Sequence, residues 1–562
     1  MPSASGTHPG GWTAPRPTLA VTIVTALIVV FTAAFLDPGP GRPSEAETFA
    51  RTEATPVVVA SSPEHPPSLS PPPPRPHVPP EPAEASAAVP LSGRERALLE
   101  SLDPDLFASL PPRAGAWEEG ERPPCFADDA SASRRCLPDY HVVGAWQSGG
   151  QAFNAKLGAH PDVREGAAPH FWNEPDKPTT RYLDLFAARA AEAEPEAEPE
   201  GKNKNVLRVG DASPGVLANT WTESQRMHRS FAQTAAACWQ ACQELSDAPI
   251  QGASRTPRRR CVDGDGDGGG GGCISRAAAR DAVVNGSVVA AVDRSPRSTP
   301  LSVPHLMRHA YGDKSVKIIA LVRAPLARLR AAFAHYEHYA KEFGEGEDGF
   351  DAYVATFVDE FQRCEAEAEK SRGSRDVFSN VFSARTECAF HFEALGPDRE
   401  KVFYHCDQLI KTMYGTFARG WVEAFGAANV LFLRTEDAFS ANATTRVRAL
   451  RRATTFLGLK VSETDDVLLD AMDAIGTACD ETKTKENECV NAAASNDATL
   501  ATLDFGEGVA ATRAATRQRV DAFFEPETSI LAELFGDRDE ASSWAAWGRG
   551  EATDVGVMGV RV

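Results

Sequence analysis

YHVVGAWQSGGQAF, residues 140–153, decides how the chain is read. Tyr140 to Ala145 is a short β-prone run, Ser148-Gly149-Gly150 makes a tight turn, and the composition from Gly149 to Leu157 is helical. Strand, glycine turn and helix in that order form an anion cradle. The first backbone N–H groups of a helix lack an intrahelical acceptor and point at whatever sits in the turn. Two further runs repeat the pattern. Val316 to Val322 (VKIIALV) has the unbroken apolar character of a buried parallel strand and ends at Arg323. Pro325 suits the first turn of the helix that follows, LARLRAAFAHYEHYAKEF, where Leu326, Leu329, Phe333 and Tyr336 keep helical spacing. Asn429 to Leu433 (NVLFL) is again followed by polar residues and a helix through Phe456 and Leu457. Repeated strand–helix units predict an α/β fold on an open parallel sheet, with a P-loop-like strand–loop–helix at residues 140–157. The loop lacks the Gly-Lys-Ser/Thr ending that sets lysine on phosphates and a hydroxyl on magnesium, which argues against nucleotide-phosphate hydrolysis.

Working outward, Leu19 to Leu36 is an uncharged apolar run of 18 residues, close to the roughly 20 that span a bilayer. It exceeds the h-region of a cleaved signal, about 7–15 residues, so it predicts a transmembrane signal anchor. Arg16 before the run and Asp37 after it place residues 1–18 in the cytosol and the rest in the lumen. Residues 37–136, rich in proline and including PSLSPPPPRPHVPPEP, read as a disordered stem. The globular domain is expected over 137–545, with low-complexity insertions near 190–205 and 255–273, and a tail over 546–562.

The net charge of -20, from 78 acidic and 58 basic residues, repels polyanions and argues against a nucleic-acid partner. In a lumenal, oxidising setting the 11 cysteines can pair, and Asn285-Gly-Ser287 and Asn442-Ala-Thr444 become glycosylation acceptors. Asp263, Asp265 and Asp267 open at calcium-loop spacing with Gly268 in the turn position. The twelfth position is Ile274 rather than Glu, so this stretch reads as a solvated glycine loop that Cys261 and Cys273 are placed to close. Cys238 and Cys242 lie four apart on a predicted helix without two further ligands, so no metal site is expected.

With these residues in view, the chain resembles the Golgi carbohydrate sulfotransferases that use 3′-phosphoadenosine 5′-phosphosulfate (PAPS). VGAWQSGGQAF followed by His160-Pro-Asp-Val163 is similar to their phosphosulfate loop, and IIALVRAPLARLRAAFAHY to their 3′-phosphate strand and helix. Pro169 to Trp172 and Val209 to Ser213 match the intervening segments; GWVEAFGAANVLFLRTEDAF, TTFLGL and VDAFFEPETSILAELFG match the C-terminal ones. The nearest subgroup is the N-acetylgalactosamine 4-sulfate 6-O-sulfotransferases, with which Cys364 and Cys388 are shared as the expected disulfide. The resemblance implies PAPS as co-substrate, a glycan acceptor, no metal requirement and a Golgi membrane location. It assigns the phosphosulfate to Ser148, Gly149, Gly150 and Gln151, and the 3′-phosphate to Arg323 and Arg328. Only a planar guanidinium offers the bidentate fork that a phosphate fits.

The pattern also breaks. Gln147 stands where the family has its loop lysine, Ala168 where it has a glutamate base, Ala331 where it has a helix serine, and Gly150-Gln151 where it has two hydroxyl residues. Losing one transition-state donor typically costs about 10²–10³ in rate. Candidate replacements for the base are His170, Asp211, Glu165 and Glu174. His170 reads equally as a packed aromatic neighbour, and Asp211 as a helix cap. Lys156 is a candidate to reach the phosphosulfate, and Lys411 and Tyr414 fall in a region that the family keeps near the cofactor. Two functions follow: sulfuryl transfer to a glycan hydroxyl, or a catalytically degenerate relative that binds PAPS, its desulfated product PAP, or a sulfated glycan without turnover.

Overall fold

The computed structural model describes residues 87–111, 133–173, 177–191, 207–218, 229–245, 299–371, 382–391, 408–440, 442–459, 466–474 and 511–536, with shorter stretches between them. The apolar run 19–36, most of both insertions, Asn285, Glu174 and Cys261 lie outside the described residues. Among the described residues, no helix is long and apolar enough to cross a membrane.

The centre is a five-stranded sheet formed by β3 (Tyr140–Gly144), β4 (Val163–Ala167), β5 (Arg208–Asp211), β8 (Lys317–Val322) and β9 (Val430–Arg434) in the order β4-β5-β3-β8-β9, with the two-residue strands β6 (Gly264–Asp265) and β7 (Gly270–Gly271) paired outside it. Every pairing is parallel. Strand side chains alternate between two apolar layers, as a period of two requires. Val143, Ile318, Ala320, Val322 and Phe432 share one core with Leu306, Trp421 and Phe425. Tyr140, Val142, Ile319, Leu321, Leu431 and Leu433 share another with Phe153, Leu157, Leu450 and Leu457. A sheet buried on both faces explains why VKIIALV carries no polar alternation.

Four expectations are corrected. Folded structure begins well before residue 137: α1 (Gly93–Leu102) and α2 (Pro104–Ala108) lead to the hairpin β1 (Cys125–Asp128) and β2 (Ser133–Cys136), closed by a Cys125–Cys136 disulfide. Leu99, Leu106, Trp117 and Phe126 belong to the main core. The signal was present in the sequence as a capping box, in which Ser92 accepts from Glu95 N and Glu95 accepts from Ser92 N. At the other end, Trp547 is only 3% exposed, so the 546–562 boundary cuts into the folded body. The long helix after Pro325 is two helices, Pro325–His335 and Glu337–Phe343, broken at Tyr336. Cys273 bonds to Cys238 rather than closing the loop with Cys261. Cys242 Sγ lies 3.6 Å from Cys273 Sγ and is itself disulfide-bonded, so this sulfur cluster offers no thiolate to a metal.

Cys364 and Cys388 are joined, tying Gly346–Ser371 to Ala384–His391. Asn442 is exposed and caps the helix Ala443–Leu457, its Oδ1 accepting from Thr444 N at 2.9 Å. Lys156, on α3 (Gly150–Gly158), is 3% exposed. Its ammonium donates to the carboxylate and the backbone carbonyl of Asp473, at 2.9 and 2.6 Å. That contact fastens α3 to the helix Asp466–Ala474 and withdraws Lys156 from any anion in the loop. Asp473→Ala would leave a buried ammonium without its counter-charge, a loss of roughly 3 kcal/mol. Urea unfolding should show the midpoint falling with the slope unchanged.

Candidate active site

In an open parallel sheet the ligand crevice lies beyond the carboxyl ends of the strands; Gln147, Ser148, His170 and Arg323 follow such ends, and Asp211 is the last residue of β5. β3 ends at Gly144, and Ala145 N donates to Leu321 O, so the loop continues the β3–β8 pairing for one more residue. A Cβ on Gly144 would stand 2.3 Å from Leu217 Cβ, which restricts this position to glycine. Ser148 N donates back to Ala145 O at 3.1 Å, Gly149 takes φ 78°, and α3 begins at Gly150. Thr435 Oγ1 donates to Ser148 O at 2.8 Å and pins the turn from below. Ser148 Oγ and Gln147 Oε1 are buried without a hydrogen-bond partner. Leaving such an atom unsatisfied costs about 1–3 kcal/mol. Two of them at the head of a helix fit an anion that supplies acceptors to the hydroxyl and, with the glutamine amide turned over, to its NH₂.

Among the described residues, the only non-glycine residues at positive φ are Gln147 (60°) and His170 (53°). Such conformations cost L-residues roughly 1–2 kcal/mol and gather where a side chain must be aimed. The two belong to neighbouring segments. The Trp146 and His170 rings meet edge to face with centroids 6.1 Å apart.

Arg328 does not serve a phosphate. Its guanidinium is fully buried and donates to Trp146 O (3.1 Å), Gln408 O (2.8 Å), Thr412 Oγ1 (2.8 Å) and Gln408 Oε1 (3.1 Å). It braces the loop from behind. Arg323, 2% exposed, is the first residue after β8. Tyr414 donates to its carbonyl at 3.0 Å, and burial pushes the Tyr414 phenol up to about 12. Glu436 accepts from Ala324 N (2.8 Å) and from Trp547 Nε1 (2.7 Å). Desolvation holds its carboxyl above the ordinary value. Trp547 and Glu436 are the site residues that sequence reading missed; the Trp544/Trp547 spacing of three was their one signal.

Asp211 is fully buried and does not face an acceptor. Ser213 Oγ donates to its Oδ1 (2.5 Å) and Tyr182 OH to its Oδ2 (2.8 Å). Ser213 in turn accepts from His170 N at 3.0 Å. Asp211 therefore holds the backbone of His170 instead of taking a substrate proton. His170 itself is half-buried, against Trp146. Glu165 lies on β4.

Beside Asp211, Tyr311 OH donates to Pro138 O and so accepts from His141 Nε2, both at 2.7 Å. This leaves His141 Nδ1 unprotonated, 3.7 Å from Asp211 Oδ2. Burial drives His141 down to about 3. It raises Asp211 to about 6 against the opposing bonds from Ser213 and Tyr182.

No protein-family model matches the chain, and no curated protein matches it. Among solved structures, a sulfotransferase from Alicyclobacillus acidocaldarius is similar at 14% identity, over 73% of this chain and 99% of that one, with a TM-score of 0.27. So low a TM-score does not establish a shared fold.

The Asp211 pair makes a pH prediction. From the ordinary aspartate value up to about 6, the folded chain keeps a proton that the unfolded chain has lost, so Asp211's contribution to stability declines as pH rises through that window. His141 works in the opposite sense. Neutral in the fold, it loses stability as pH falls from 6.5 towards about 3. In Asp211→Asn only the histidine term remains. Between pH 7 and 4.5 the variant should lose about 2 kcal/mol more than the parent. Equal losses in urea melts across that range would contradict the assignment.

Proposed function

We propose that the chain transfers a sulfuryl group from PAPS to a hydroxyl of a glycan, the galactosamine-containing class being the one that its motif resemblance names. The observation that carries this reading is a buried, unpartnered serine hydroxyl and a buried arginine just beyond the carboxyl ends of two adjacent strands. Ser148 Oγ, buried without a hydrogen-bond partner, sits at the head of α3 after β3, and Arg323 directly follows β8. A nucleotide with phosphate at one end and phosphosulfate at the other calls for two such sites at a fixed span.

In this reading Arg323 takes the 3′-phosphate. The turn Ser148–Gln151 takes the phosphosulfate through Ser148 Oγ and the first N–H groups of α3. His170 accepts the acceptor's hydroxyl proton as the oxygen attacks sulfur. The bond from sulfur to the bridging oxygen breaks, and the electron pair leaves on the 5′-phosphate of PAP. Gln147 donates a neutral hydrogen bond to that bridging oxygen where a cation would stabilise the developing charge more strongly. The disulfides Cys125–Cys136, Cys238–Cys273 and Cys364–Cys388 among the described residues suit an oxidising lumen. With the apolar run 19–36 they support a Golgi-type location as a single-pass type II protein.

The second reading, binding of PAPS, PAP or a sulfated glycan without turnover, is favoured by Gln147 and Ala168, which replace the charged donor and the base of the motif. Labelled PAPS incubated with the full-length chain and a glycan panel separates the two. Transfer predicts sulfated product, a rise of about 10² in rate for Gln147→Lys, and a fall of about 10²–10⁴ for His170→Ala with PAP binding retained. PAP binding with no product from either parent or Gln147→Lys would establish the second reading instead.

A further inference from the structure

The carboxyl edge of the sheet divides at the loop. On the β8–β9 side lie Arg323, Tyr414 and Glu436, and on the β4–β5 side lie His170 and Ser213. Resting on the sulfuryl-transfer reading, which assigns the nucleotide to the β8 side, we propose that Trp146 is the acceptor-binding wall. It presents its ring face to a ring-bearing alcohol whose hydroxyl then meets the sulfur between Gln147 and His170.

Three observations hold Trp146 in this role. Its carbonyl accepts from Arg328 Nε at 3.1 Å, and its indole Nε1 donates to Tyr336 OH at 3.0 Å. Its ring stands at 67° to that of His170. The helix break at Tyr336 is what delivers the phenol to the indole. With its single polar side-chain atom bonded within the protein, the partly buried Trp146 has only hydrocarbon and π-surface to offer a ligand. It is also adjacent in sequence to Gln147, so a molecule against it lies within one residue of the transferring group. The matching chemistry is a hydroxyl on a ring with an apolar face, which is either the C–H face of a pyranose or the face of a phenol. Because Arg328 fixes its backbone and Tyr336 and His170 hold its ring, little rotamer entropy is lost when a ligand settles on it.

The test uses the full-length chain saturated with PAP, titrated calorimetrically with methyl pyranosides (galactoside, glucoside and the two N-acetylhexosaminides) and with 4-nitrophenol. Trp146→Ala should weaken the bound probe by about tenfold or more, the worth of one good ring contact, while Trp146→Phe retains most of the affinity. Loss confined to a pyranoside identifies the acceptor as a sugar, and loss confined to 4-nitrophenol identifies it as a phenol; either supports the wall. Affinity unchanged in Trp146→Ala, or no probe bound by a parent that binds PAP, overturns it. If the parent does not bind PAP at all, the sulfuryl-transfer reading fails and the wall fails with it. PAP affinity measured on each variant separates damage to the loop from loss of the wall.

Discussion

The arrangement depends on one pairing, that of β3 with β8. Because these strands are parallel and adjacent, their carboxyl ends open on the same edge. Ala145 N extends the ladder to Leu321 O, which leaves the loop beside the Arg323 turn. The two proposed anion-binding features, Ser148 and Arg323, far apart in sequence, are thereby fixed at a separation set by backbone hydrogen bonds rather than by flexible side chains. The surrounding contacts conserve that spacing. Arg328 ties the loop carbonyl of Trp146 to residues 408–412, Thr435, at the start of the short helix after β9, holds Ser148, and Glu436 holds Ala324.

Charge is placed unusually within this frame. The guanidinium that the motif offers as a second phosphate ligand, Arg328, is spent on the protein, and the ammonium nearest the loop helix, Lys156, is spent on Asp473. What faces the turn is neutral: Gln147, a serine hydroxyl and backbone. A low-charge turn of this kind still binds an anion through directed N–H groups and the helix dipole. It stabilises a leaving group less than a cation does. In the proposed sulfuryl-transfer reading, such a turn suits slow turnover.

Much of this was legible in the sequence. VKIIALV, NVLFL and YHVVGA are strands because unbroken apolar runs between turn residues suit a doubly covered sheet, and their order alone indicated a parallel α/β fold. The turn at Ser148–Gly150 was legible from glycine chemistry. What was not legible depended on contacts between distant residues. Nothing local says that Arg328 points at Gln408 rather than at a ligand, that Lys156 meets Asp473, or that Asp211 is sealed beneath Tyr182. The short α1 was obscured by the proline-rich composition before it, although Ser92 and Glu95 carried its capping signature. Trp547 lay just beyond an assumed boundary, and its partner Glu436 is 111 residues away.

Isothermal titration of the full-length chain with PAP, run beside Arg323→Ala, tests the central claim most directly. Saturable binding by the parent, lost or weakened by about 10² when the fork of donors at the end of β8 is removed, is the predicted result. Equal binding by both proteins, or none by a folded parent, would contradict the two-site account.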